Sequence, residues 1–441
     1  MLTAETQPAT QSLVARLAEA RRQSDAFFDI VRPEAIFERP IPERHRIIFY
    51  VGHLEAFDWN LLHDVLKISL FRPEFDRLFA FGIDPVGGGL PTDQPSDWPS
   101  RPTVREYVQD VRAKIDDRLV AELDPDSCGR DGFGLATLLN VAIEHRLMHL
   151  ETLAYMFHQL PLTAKIRQSA SIVQSDPSFS PSMTHIPAGF ATLGLSRNAG
   201  SFGWDNEFES HGIQVPEFKI DKYMVTNGQF LEFMKSGGYE TPSFWSEEDW
   251  RWKTENGIRH PVFWKKAGNK WQYRTMFEEI ELPPDWPIYV SHAEASAYAR
   301  WAGKALPTEE QWQRAAYGTP NGQENFYPWG KLSPSKTLGN FDFQSWDQCP
   351  VNAHPASSSA FGVEGMLGNG WEWTSTPFGP YPGFQAFPFY RGYSADFFDG
   401  KHFVMKGGSP RTAACMLRPT FRNWFQAHYQ YVYAGFRCVN T

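Results

Sequence analysis

The sequence has little cysteine: four residues among 441, at 128, 349, 415 and 438, with no CxxC pair. Such scattered thiols read as reduced, mostly buried side chains of a cytoplasmic protein rather than a disulfide framework. No run of about 18 apolar residues is present, so no membrane-spanning helix is expected. The opening stretch MLTAETQPATQSLVARLAEARRQSDAFF has no basic segment followed by an apolar one, so no signal peptide is expected either. An excess of positive charge is also missing. The formal net charge is -9, which argues against a nucleic-acid groove or an anionic membrane surface as partner, since both need basic patches. What the chain has in quantity is aromatic residues, 15% of the total, with most of the 16 tryptophans after residue 200. This shift in composition, and the length, point to two domains.

Residues 1–165 carry helical periodicity in four stretches, QSLVARLAEARRQSDAFFDIV, RHRIIFYVGHLEAFDWNLLHDVL, TVREYVQDVRAKIDDRLVAEL and GFGLATLLNVAIEHRLMHLETLAYMFHQL. They predict an antiparallel four-helix bundle. Thr103, with Glu106 three residues on, is the expected N-cap of the third helix, and Pro161 closes the fourth. Between the second and third lies FGIDPVGGGLPTDQPSDWPSRP, a Gly- and Pro-rich loop long enough to suggest a functional role. Residues 166–182, IRQSASIVQSDPSFSPS, read as a polar linker. From 183 to 441 short strand-like runs such as FATLGL and HFVMKGG alternate with Trp-rich turns, and two short helices are visible, NGQFLEFMKSG and SHAEASAYARWAG.

Three of the thirteen histidines stand out. His145 and His149 are four apart on the fourth helix, so they share a face with Cβ atoms about 6 Å apart and can reach one metal ion. His53 lies on the second helix beside Gly52, which permits close approach of a neighbour. Metal sites in bundles are built from facing helices in this way. Spacing alone leaves open buried, merely hydrogen-bonded histidines. It also leaves His63, Asp58 or Glu55 as the third ligand, the carboxylates giving a two-His, one-carboxylate site. Glu151 points to another side of its helix and is expected to be a supporting partner.

The second half resembles a known family. PIYVSHAEASAYARWAGKALPTEEQWQRAA, FYPWG, GNGWEWT, KGGSP and YVYAGFRCV together are similar to the formylglycine-generating-enzyme-like (sulfatase-modifying-factor) domain. The resemblance implies an α+β chain, a DinB-like bundle followed by a loop-rich C-type-lectin-like domain. Within it, Trp312 and Trp373 would serve packing and Gly407 and Gly408 turns. A lone histidine and an HxxxHxE helix joined to this domain look like the EgtB-like sulfoxide synthases of ergothioneine biosynthesis, over nearly the whole chain.

That resemblance implies iron(II) held by His53, His145 and His149 facing a cleft between the domains, O2 as co-substrate and hercynine as substrate. It places Asn423, Trp424, Phe425 and Gln426 in the hercynine-binding loop, with an aromatic wall for the quaternary ammonium. It makes Tyr381 the favoured proton donor over Tyr390 and Tyr393. The pattern departs from the family at Met148, where many members have Gln, at Phe81-Gly82, where many have a Tyr pair, and at Phe425, where some have Asp. No arginine stands between Arg77 and Arg101. Loss of these carboxylate grips weakens the case for γ-glutamylcysteine as donor. It suits a less charged or sugar-like one, as in the related selenoneine synthases, with Asp84, Asp93 and Asp97 available for hydroxyls. Sulfur and selenium donors therefore both stand, and the sequence does not fix the oligomeric state or whether a structural calcium ion braces the second domain. Two other classes compete. A formylglycine-generating oxidase would need a cysteine pair, and Cys415 has no well-placed partner. A lectin-like binding module would need no metal histidines.

Overall fold

The computed structural model describes residues 10–80, 90–121, 133–168 and 180–440. Phe81, Gly82 and Asp84, together with most of the linker, lie outside the described residues. The chain divides into two compact units, within Thr6–Gln168 and Ser169–Thr441. None of the described helices is long and apolar enough to cross a membrane.

The first unit holds helices α1 (Thr10–Phe28), α2 (Ile47–Leu62), α3 (Pro73–Leu78), α4 (Arg101–Ala121) and α5 (Leu135–Gln159). α1 packs on α5, and α2 on both α4 and α5. The sequence pattern explains the packing. On α4, Val104, Tyr107, Val111, Ile115 and Leu119 recur every three or four residues, and all are buried, giving one apolar stripe. α2 and α5 are buried nearly all round, as befits central helices. The start of α4 differs from expectation. The helix begins two residues before Thr103, and Ser100 caps it, its hydroxyl accepting from the Thr103 amide at 3.4 Å. Pro102, lacking a donor, is tolerated in the first turn, and Glu106 pairs instead with Arg72.

Among its described residues, the second unit is built from twelve short strands. β1 (Met183–Ile186), β4 (Phe218–Asp221) and β12 (Val439–Asn440) form one sheet, in the order β1-β4-β12. β2 (Gly189–Leu193) and β3 (His211–Val215) form a hairpin, and β5 (Trp264–Ala267), β6 (Lys270–Arg274) and β7 (Glu279–Glu281) a meander. β8 (Gly370–Pro377), β9 (His402–Gly408), β10 (Asn423–Gln426) and β11 (Ala434–Gly435) form a sheet in the order β10-β9-β8-β11, with β10 at its edge. Joining them are the helices α6 (Asn227–Lys235), α7 (Glu247–Glu255), α8 (His292–Trp301) and α9 (Glu309–Tyr317). α6, α8 and α9 start with reciprocal capping boxes, Thr226/Gln229, Ser291/Glu294 and Thr308/Gln311, which satisfy otherwise orphaned backbone donors.

Trp312 and Trp373 are fully buried. Gly407 and Gly408, expected in turns, are paired strand residues of β9, opposite Trp371 and Gly370. A Cβ on Gly407 would stand 3.0 Å from the Met366 carbonyl at φ +100, so the glycine serves close packing of strand against loop. Among the described cysteines, Cys349 and Cys438 are buried free thiols.

Candidate metal centre

α2 and α5 bring His53, His145 and His149 to one point. His53 Nε2 is 3.2 Å from His149 Nε2, and His149 Nε2 is 3.1 Å from His145 Nε2. All three rings are 2–3% exposed. Among the described residues they form the one group of His, Cys, Asp or Glu close enough to share a metal ion.

Each ring is steered from its own helix or loop. His53 Nδ1 donates to the Phe79 carbonyl at 2.6 Å, which leaves its Nε2 lone pair facing the other two imidazoles. Phe49, one turn earlier on α2, stacks on His53 with centroids 4.8 Å apart, and Phe57, one turn later, stacks on His145 at 3.4 Å. Tyr50 lies against His149. Gly52 makes the Phe79 contact possible, because a Cβ there would be 2.6 Å from the Phe79 ring. Trp98 packs on Phe79 and Phe49 from outside.

The electrostatics favour neutral ligands. Burial pushes His53 down to about 4, against the Phe79 bond that favours the charged form. Burial, then the neighbouring imidazoles, hold His145 and His149 well below the ordinary histidine range. Neutral imidazoles that carry their proton on Nδ1 offer the Nε2 lone pair to a cation, and three Nε2 atoms converge here. Two imidazole nitrogens about 2.1 Å from one ion, at roughly a right angle, would stand about 3 Å apart, which is the spacing found. The residues fit a divalent transition metal with ligands on one side of it.

The rival third ligands are engaged elsewhere. Glu55 and Asp58 sit in a buried ionic cluster with Arg21, Arg112 and Arg146. His63 pairs with Asp64 and stacks on Trp59. Glu151 is buried on α5. Met148, partly exposed, precedes His149 on the same helix. The stacking phenylalanines were not anticipated, although Phe49 and Phe57 stand four residues either side of His53, a spacing that was visible.

In the second unit, Asn423, Trp424, Phe425 and Gln426 form β10. Trp424 is partly exposed and stacks face to face on Phe378 at 4.1 Å, with Tyr393 and Phe397 at its edges. Asn423 Oδ1 accepts from the Trp424 amide, Phe425 stacks on Tyr429, and Gln426 is exposed. Tyr381 is buried, and its hydroxyl donates to Glu309 at 2.8 Å. Arg422 covers its ring at 4.0 Å and pairs with the same Glu309. Burial, with Glu309 opposing ionisation against Arg422, keeps the phenol protonated, well above the ordinary tyrosine range. Asp93, expected to be available for hydroxyls, is taken by Arg39, Arg46 and Trp98. Asp97 closes the turn at Gln94.

The sulfatase-modifying factor enzyme 1-like domain family matches residues 169–441, and the DinB superfamily matches residues 16–153. A hercynine oxygenase of Mycolicibacterium smegmatis is 36% identical over 380 residues, 84% of each chain. The chain belongs to the hercynine oxygenase family. Another member, from Mycolicibacterium thermoresistibile, is 33% identical over 383 residues, covering 85% of this chain and 82% of its own. The ergothioneine biosynthesis protein 1 of Neurospora crassa is 27% identical over 500 residues, with 92% of this chain but 55% of its own covered. Similarity to the hercynine oxygenases therefore runs through both the histidine bundle and the second domain, not through the second domain alone.

Proposed function

We propose that this chain is an O2-dependent non-haem iron(II) oxidoreductase that joins a chalcogen donor to the imidazole C2 of hercynine. The observation that carries the reading is the convergence of three buried, neutral imidazoles in a chain whose relatives are hercynine oxygenases. The C2–H bond and the donor's S–H or Se–H bond break and a carbon–chalcogen bond forms. O2 takes four electrons, one oxygen leaving as water and the other staying on the chalcogen. When bound, iron(II) supplies electrons for O2 activation and positive charge that favours the anionic donor.

The residues divide the remaining work. His53, His145 and His149 hold the ion. Asn423, Trp424, Phe425 and Gln426 hold hercynine, the indole face attracting the quaternary ammonium. Tyr381, protonated and hydrogen-bonded to Glu309, is the proton donor. The donor proposed is weakly charged and sugar-like, a selenosugar before γ-glutamylcysteine. Supporting this, Arg39 and Arg46 are occupied by Asp93, and Arg72 by Glu106 and Asp110. Phe425 offers an aromatic face where a carboxylate would offer charge. The lectin-like module and the formylglycine-generating oxidase are disfavoured because neither needs the triad. The test is aerobic turnover of hercynine with a selenosugar, cysteine or γ-glutamylcysteine. Product with the selenosugar supports the reading, product with γ-glutamylcysteine alone overturns the donor assignment, and no product with any of the three overturns the activity.

A further inference from the structure

Metal affinity in a site split between two helices depends on how firmly those helices are held at the right separation. Here one side chain spans the gap. Arg146 follows His145 on α5 and is 0% exposed. Its Nη2 donates to the Leu54 carbonyl at 3.1 Å and to Asp58 Oδ2 at 2.7 Å. Its Nη1 donates to Ser24 Oγ at 3.1 Å and stands 3.0 Å from Glu55 Oε1. Leu54 is the residue after His53. The guanidinium therefore joins the backbone next to one ligand to the residue next to another, and ties both helices to α1 through Ser24.

We infer that Arg146 is a positioning residue for the metal centre, a clamp that sets the separation of His53 from the His145/His149 pair. This rests on the reading of the triad as a metal site. The planar fork suits the task. It reaches a backbone carbonyl, two carboxylates and a hydroxyl at once, which a lysine ammonium cannot do. The surrounding charges separate clamping from mere cohesion. Arg112 belongs to the same cluster, bonding Glu55 and Asp25, but it has no bond to Leu54 and lies on α4.

The test is the dissociation constant for iron(II), measured anaerobically on folded protein beside the urea midpoint. Arg146→Met is expected to weaken metal binding by about 10–100-fold, the range seen for groups that orient ligands, and Arg146→Lys to restore part of it. Arg112→Met is expected to lower the urea midpoint yet keep wild-type metal affinity. A single variant left with unpaired buried carboxylates risks unfolding, so Arg146→Met/Asp58→Leu, which removes both charges together, serves beside it and should also bind metal weakly. Wild-type affinity in either folded Arg146 variant would overturn the clamp, as would equal losses of affinity in Arg112→Met. A wild-type protein that takes up no metal would instead remove the metal-centre reading, and the clamp with it.

Discussion

The two units share one way of burying charge, and the bundle adds a second arrangement of polar groups. In the second unit, buried charge is matched from within. Glu372 and Arg437 are both fully buried and pair at 2.8 Å, with the Trp312 indole donating to the same carboxylate. Glu309 and Arg422 are likewise paired, with the Tyr381 hydroxyl on the same acid. In the bundle, the Glu55/Asp58/Arg146 cluster is matched in the same manner, while the three imidazoles a few residues away turn their Nε2 atoms toward one another. They meet nitrogen to nitrogen, and all three lie close enough together to share one metal ion. Matched buried charge holds a fold together. Converging imidazole nitrogens can hold a metal ion from outside the chain.

The largest effect expected from breaking this contrast is at the triad. His149→Ala should abolish metal uptake and bring turnover to background, beyond the roughly 10–100-fold caused by disturbing supporting groups, with the far-ultraviolet circular dichroism unchanged. A variant retaining a tenth of wild-type turnover would show that the ligand set is wrong. Next comes a matched pair. Glu372→Gln leaves Arg437 buried without its counter-charge and should cost about 3–5 kcal/mol in urea unfolding, while a folded sample keeps its full metal content.

A third test uses a buried histidine of the second unit. Burial holds His292 at about 4, against an ordinary 6.5, despite Asp249 and the Thr374 backbone favouring the charged form. Between those values the unfolded chain binds the proton and the folded chain does not. Its contribution is therefore flat above pH 6.5, and stability falls as pH drops toward 4, by about 3 kcal/mol in all. Urea midpoints across that window should show a shallower slope in His292→Gln than in wild type; identical slopes would remove His292 as the cause. The smallest expected change is Gly52→Ala. The added Cβ displaces Phe79, at about 1–3 kcal/mol of strain, and loosens the carbonyl that orients His53, so metal affinity should fall about tenfold. Unchanged metal affinity would mean that the Phe79 bond does not matter.

The bundle helices were legible because their apolar residues recur at helical spacing and because Pro161 stops the last one. The pairing of His145 with His149 followed from the same periodicity. The third ligand did not. His53, Glu55, Asp58 and His63 all lie on or beside α2, and the choice among them depends on which face meets α5, a tertiary fact. Ser100 displaced Thr103 as the cap because proline in the first turn lets the helix begin earlier than its apolar stripe suggests. In the second unit the capping boxes of α8 and α9 were present in the quoted motifs, whereas α7, EEDWRWKTE, carries too few apolar residues to show a buried face. Gly407 looked like a turn residue because a glycine pair usually is one. Its role depends on Met366, 41 positions away in sequence, at the close approach described above.

The central claim is that His53 completes a three-histidine iron site while His63, ten residues on, does not. Metal content of the purified protein measures this directly, comparing wild type with folded His53→Ala and His63→Ala. One iron per chain is expected in wild type and in His63→Ala, and none in His53→Ala. Iron retained by His53→Ala, or lost from His63→Ala, would contradict the assignment.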